Sequence, residues 1–101
     1  MRLVFNMYLE VKLPDVFISN LEIRGMKNGS IFMNASNLEE LHTEFRNKYP
    51  ALLNKIWNEQ GEIRKNLLLV VNDNLINKIE YNILKFPDHT KLEIMTQFAG
   101  G

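Results

Sequence analysis

The residues whose type and position could take part in chemistry are the last two, Gly100 and Gly101. Read as a terminus, they present a carboxylate on a backbone that can thread a narrow channel, because glycine has no Cβ and tolerates any φ. A terminal carboxylate is inert until activated. ATP converts it to an acyl-adenylate, and a sulfur or amine nucleophile can then attack the acyl carbon. Taken alone, Gly-Gly is equally readable as a frayed tail without a role. The chain cannot perform the activation itself, since it has no phosphate-cradling glycine loop and no pair of catalytic groups. Cys is absent, which removes disulfides, thiolate catalysis, thiolate metal sites and a thioester on the protein's own sulfur. His42 and His89 have no convergent carboxylates in the sequence and are expected to be solvated or partly packed, not metal ligands. No cofactor or metal of its own is expected.

The elements that must position such a tail fit within one domain of 101 residues. At 46% hydrophobic and 24% charged residues, the composition is that of a folded globular chain. Twelve Lys and Arg balance twelve Asp and Glu, so no net field steers nucleic acid or anionic lipid to the surface. No apolar run is long enough to span a bilayer. MRLVFNMYLEV is not expected to be a secretory leader, because Asn6, Glu10 and Lys12 interrupt its apolar stretch. A cytoplasmic protein that contacts neither membrane nor nucleic acid directly is the expectation.

Alternation opens the chain. Leu3, Phe5, Met7, Leu9 and Val11 fall on one face, predicting a half-buried strand over residues 2–12 that ends at Pro14 and Asp15. VFISNLEIRG is strand-like but poorly patterned, and GSIFMNAS supplies the next strand through Ile31 and Met33. Ser36 followed by Glu39 has the spacing of a helix capping box. Leu38, Leu41, Phe45 and Tyr49 then recur at helical spacing, with Glu39, Glu40, Glu44, Arg46 and Lys48 outside as a solvated face. The main helix is predicted from about Asn37 to Tyr49, with Leu38, Leu41 and Phe45 buried against Phe5, Leu69 and Ile94. Pro50 can open a second short helix through Leu52, Leu53, Ile56 and Trp57, closed by Gly61. Trp57 is read as a core or edge filler, and Arg64 beside Gly61 as shaping a turn. LLLVVND suits a central strand ending in a turn, Leu75 to Leu84 is either a helical turn or a small strand, and KLEIMTQF is the last strand. The pattern gives an α+β class, a mixed sheet with one main helix packed across it, with several topologies open.

NEQGEIRKNLLLVVND (residues 58–73) and KLEIMTQFAGG (residues 91–101) resemble the MoaD/ThiS sulfur-carrier family of ubiquitin-like β-grasp proteins. The acidic-glycine turn, basic residue, apolar strand, Asn-Asp turn and terminal Ala-Gly-Gly are closest to its CysO-like branch. ASNLEELHTEFRNKYPALLNKI is similar to the family's capped helix ending in Tyr-Pro, and the likeness covers roughly residues 29–101 well and residues 1–12 as well. Residues 13–28 form a longer first connection than is usual there, Asp88-His89-Thr90-Lys91 lacks the family's acidity, and Phe98 stands where smaller residues are common.

The resemblance implies a β-grasp fold and a protein cosubstrate, not an enzyme. It also implies activation of Gly101 by a ubiquitin-activating-type adenylating enzyme using ATP, conversion to a thiocarboxylate, and delivery to a sulfur-acceptor enzyme. Phe98, Ala99 and Gly100 would lie in the activating enzyme's channel, and residues 98–101 are expected to extend beyond the sheet as a mobile tail. Combined with the alternation, the family pattern predicts an exposed apolar sheet face of Val4, Tyr8, Leu68, Val70, Leu75 and Met95, through which the partners dock, unless the 13–28 connection covers it. The alternatives are a modifier joined to lysines through Gly101 and a non-conjugated binding module in which Gly-Gly is incidental.

Overall fold

The computed structural model describes residues 8–18 and 29–97. Five strands form one mixed sheet: β1 (Tyr8–Lys12), β2 (Ser30–Asn34), β3 (Leu67–Val71), β4 (Asn74–Leu75) and β5 (Thr90–Thr96). Their order is β2-β1-β5-β3-β4, with β1 parallel to β5 and the other pairs antiparallel. The helices are a single turn α1 (Asp15–Ile18), the main helix α2 (Leu38–Lys48), the short α3 (Pro50–Ile56) and a 3₁₀ helix (Lys78–Ile83). This is the α+β, β-grasp arrangement expected, a mixed sheet wrapped on a main helix. No helix among the described residues is long and apolar enough to cross a membrane.

Alternation decides which face of the sheet is buried. Leu9 and Val11, Ile31 and Met33, Leu67 and Leu69, and Leu92 and Ile94 all point to the helices and are buried. Leu41 and Phe45 of α2, Leu52 and Ile56 of α3, and Trp57 close the other side of the core. Phe45 lies at its centre, its ring centroid 5.5 Å from that of Trp57 and 6.1 Å from that of Tyr49. Leu38 and Tyr49 are half-buried at the ends of the same stripe. The expected contact with Phe5 lies outside the described residues.

Four expectations need correction. The cap of α2 is Asn37, not Ser36: Asn37 is extended (φ −156°, ψ 177°), and its Oδ1 accepts from the Glu40 N–H at 2.8 Å. The return arm of the box is Glu40, not Glu39, its Oε1 accepting from the Ser36 N–H at 2.8 Å and the Ser36 hydroxyl at 2.7 Å. Those two bonds hold the Glu40 carboxyl below the usual range, the hydroxyl contributing most. Residues 15–18 form a helical turn instead of strand, because Pro14 ends β1 and its carbonyl accepts from the Phe17 N–H. Finally, the central strand is β5, which lies between β1 and β3; β3 is one place from the edge. The Asn37 cap gives a discriminating measurement. Asn37→Ala is expected to destabilise by about 1 kcal/mol in urea unfolding, and more than Ser36→Ala does; the reverse ranking would restore Ser36 as the cap.

Turns follow residue type. Asn72 (φ 48°) and Asp73 (φ 71°) form a two-residue hairpin turn between β3 and β4 in the left-handed conformation that Asn and Asp tolerate. Asn72 also bonds Lys91 in both directions at 2.9 Å, extending the β5 ladder past β3. Gly61 (φ 77°) closes the turn after α3, where Asn58 Oδ1 accepts from the Gln60 and Glu62 N–H groups. Arg64 has the turn-shaping place expected of it, its Nε donating to the Asn54 carbonyl at 2.6 Å.

Candidate functional site

The described chain ends at Gln97, one residue past β5 and four residues before Gly101. The last described backbone bond there runs from the Gln97 N–H to the Asn66 carbonyl at 2.7 Å, beside the start of β3. Phe98, Ala99, Gly100 and Gly101 lie outside the described residues, as does Val4. The surface next to this end of β5 is apolar. Leu68 faces Met95 across β3 and β5, and Leu75 faces Val70 across the hairpin, all on the side away from the helices. Leu75 is 65% and Met95 42% exposed, while Leu68 and Val70 are half-buried between them. Four of the expected face residues are thus brought together, the Leu68–Met95 pair one residue from the end of β5 and the Val70–Leu75 pair nearer the hairpin.

Tyr8 does not join them. It begins β1 at the opposite end of the face, stacked on Phe32 of β2 at 4.9 Å and tilted against His89 at 5.9 Å. Leu75 is correspondingly not near Tyr8, because β4 pairs on the far side of β3 from β1. A charged band separates the two clusters: Glu10 faces Lys91, and Lys12 faces Glu93, across β1 and β5. Glu10 also accepts from the Ser30 hydroxyl at 3.0 Å. Phe32, 38% exposed, was not singled out in the sequence, although its place between the inward Ile31 and Met33 is the signal for it. The described part of the long connection packs on the helix side: Leu13 is in the core, and Phe17 lies under Lys55 of α3. Residues 19–28 lie outside the described residues.

Neither histidine takes part in a metal cluster among the described residues. His89 occupies its turn with φ 67°, exposed beside Asp88 at 3.2 Å. Asp88 pins the start of β1 to this turn by accepting from the Tyr8 N–H at 2.7 Å. His42 is half-buried with its ring edge-on to Trp57 at 5.0 Å, and its Nδ1 accepts from Arg46 Nη2 at 3.1 Å. Burial, and then the Arg46 charge, hold its pKa below the ordinary histidine value. The unfolded chain therefore takes up this proton first as pH falls. The stability is present above the ordinary value of 6.5 and is lost as pH descends through the lower folded value. His42→Gln is expected to lose less melting temperature than wild type between about pH 7 and about pH 5; identical acid slopes would remove His42 as a contributor.

Sequence comparison brings up no matching family model and no matching curated protein. Comparison of the fold with solved structures does give matches. The crystal structure of SAMP1 from Haloferax volcanii superposes with a TM-score of 0.68 at 13% identity, over 93% of this chain and 99% of that one. The solution structure of the small archaeal modifier protein 1 (SAMP1) from Methanosarcina acetivorans gives 0.63 at 21% identity, over 93% of this chain and 96% of that one. The chain has the ubiquitin-like β-grasp fold. These neighbours are archaeal modifiers, which corrects the closer likeness to the CysO-like branch. The physical reason is local: the acidic-glycine turn after α3 and the Asn-Asp turn after β3 are set by positive-φ positions, so they report the fold and not a branch of it.

Proposed function

We propose that this protein is a sulfur carrier: a cytoplasmic protein cosubstrate whose Gly101 carboxylate is adenylated by a ubiquitin-activating-type enzyme. The carboxylate oxygen attacks the α-phosphorus of ATP and pyrophosphate leaves. A hydrosulfide-equivalent nucleophile then attacks the acyl carbon, the bond to AMP breaks, and Gly101 becomes a thiocarboxylate for a sulfur-acceptor enzyme. The chain's own contributions are a backbone slim enough to reach ATP and a surface that holds the activating enzyme beside it. The observation that carries this reading is the Leu68–Met95 pair one residue from the end of β5, continuous with Val70 and Leu75, with Phe98, Ala99, Gly100 and Gly101 following in the sequence. An enzyme seated on that patch would also cover the end of β5.

The names of the two structural neighbours favour a second reading, in which an amine replaces the sulfur nucleophile and Gly101 is joined to target lysines. Both readings share the adenylate. The test is pyrophosphate release from ATP by the host's adenylating enzymes, with the Gly101 carboxylate of this chain as the group adenylated. Release that requires the chain supports the proposal, and no release with any of them overturns it. The patch makes its own prediction. Leu68→Asp and Met95→Asp are expected to raise the KM for the carrier about tenfold or more. The melting temperature of Met95→Asp should be nearly unchanged, since that side chain is exposed away from the core, while the half-buried Leu68→Asp is expected to melt somewhat lower; an unchanged KM would detach the patch from docking.

A further inference from the structure

On the helix side of the molecule, a groove of about 750 Å³ runs between α2, the turn after α3 and the 3₁₀ helix. Four cations line it: Arg46 from α2, Lys65 from the turn, Lys78 at the start of the 3₁₀ helix and Lys85 just beyond its end. Two carboxylates, Glu39 and Glu62, share the lining. Charge is therefore unevenly placed in a chain whose formal net charge is zero. The ion pairs within 4 Å among the described residues are Lys48–Glu44 and His89–Asp88, so none of the four cations is in direct contact with a described carboxylate, although the Lys85 charge acts on Glu40. Lys78 does donate to the Lys65 carbonyl at 2.9 Å, which holds these two positions together.

The rest of the lining is that of a peptide groove. Leu38, Ile63 and Tyr81 supply apolar wall, Trp57 is held beneath by the edge of His42, and Asn82 adds an amide. An extended peptide places alternate side chains on one face, about 7 Å apart, so its acidic residues can reach the cations while the others lie on the apolar wall. A nucleic-acid backbone, with a charge at every nucleotide, cannot step around Glu39 and Glu62 in the same way.

We propose that this groove docks an extended acidic segment of a partner protein, with Arg46, Lys65, Lys78 and Lys85 pairing its carboxylates. Neither the tail nor Gly101 takes part, so the result stands apart from that of the carrier chemistry. The experiment titrates the isotopically labelled full chain with a blocked hexapeptide of alternating Glu and Leu, its Lys-for-Glu counterpart, and an oligouridylate. The acidic peptide is expected to shift backbone resonances around Arg46, Lys65, Lys78 and Lys85 and to weaken with added salt, and the Lys peptide is expected not to bind. Arg46→Glu combined with Lys65→Glu is expected to weaken binding at least tenfold, and Lys55→Glu, on α3 outside the groove, to leave it unchanged. If the double variant does not melt like wild type, Arg46→Ala and Lys65→Ala singly are expected to weaken binding about threefold each. Shifts elsewhere, no shifts, equal binding by the charge-reversed or Ala variants, or tighter binding of the oligouridylate would each overturn the proposal.

Discussion

Phe45→Ala is expected to remove about 3–5 kcal/mol of stability, the usual range for truncating a fully buried aromatic side chain. The site has little means of collapsing around the void. Phe45 is completely buried on α2, with Trp57 and Tyr49 packed around its ring and the inward residues of the sheet across the core. The lost ring removes apolar burial and dispersion contacts together, while α2 stays anchored by its Asn37 cap. For a domain whose whole stability is of order 5–15 kcal/mol, this leaves a protein that is partly unfolded on modest warming. Urea unfolding with an unchanged m-value is the measurement. Thr43→Ala, exposed on the opposite side of the same helix, is expected to stay within about 0.5 kcal/mol of wild type. A loss below about 1 kcal/mol for Phe45→Ala would mean that the core is not organised around this ring.

Gly100→Val is expected to abolish adenylation while leaving folding intact, a fall of roughly 100-fold or more in acyl-adenylate formation. The reasoning is steric. A channel that admits a Gly-Gly backbone to the α-phosphorus has no room for a β-branched side chain, and valine also excludes the left-handed conformations open to glycine. Alignment of the carboxylate oxygen with the α-phosphorus tolerates little displacement, so even a tail that enters partway is unproductive. Thermal melts run alongside should coincide with wild type. The contrast with Leu68→Asp and Met95→Asp separates threading from docking, since those variants weaken association and keep a competent tail. Equal adenylation of Gly100→Val would remove the threaded-tail mechanism and favour the binding-module reading.

Much of the frame that positions this site is legible in the sequence, where local rules and tertiary packing agree. Strict alternation in β1, the Leu41–Phe45 spacing of α2, Pro50 at the start of α3 and the Asn72-Asp73 turn each carry their structure in a few residues. The capping shift from Ser36 to Asn37 was not legible, because two adjacent residues can both cap and the backbone conformation at Asn37 decides between them. Nor was the division of the outer face. Periodicity assigns Tyr8, Leu68, Val70, Leu75 and Met95 to the same side of the sheet, but strand order separates Tyr8 from the other four. The parallel pairing of β1 with β5, which puts the Glu10–Lys91 and Lys12–Glu93 band between them, joins residues about eighty positions apart. The basic groove likewise depends on where the 3₁₀ helix comes to rest, since Arg46, Lys65, Lys78 and Lys85 share no sequence pattern.

The central claim is that Gly101 is a transferable acyl group, and intact mass with mapping of the last peptide, on protein purified from its own host, tests it most directly. The account predicts a chain ending at Gly101, with part of the population carrying sulfur in place of one carboxyl oxygen or joined through Gly101 to a lysine amine. A mature chain that continues past Gly101, or that carries only a plain carboxylate with no conjugates even when the activating enzyme and ATP are supplied, would contradict it.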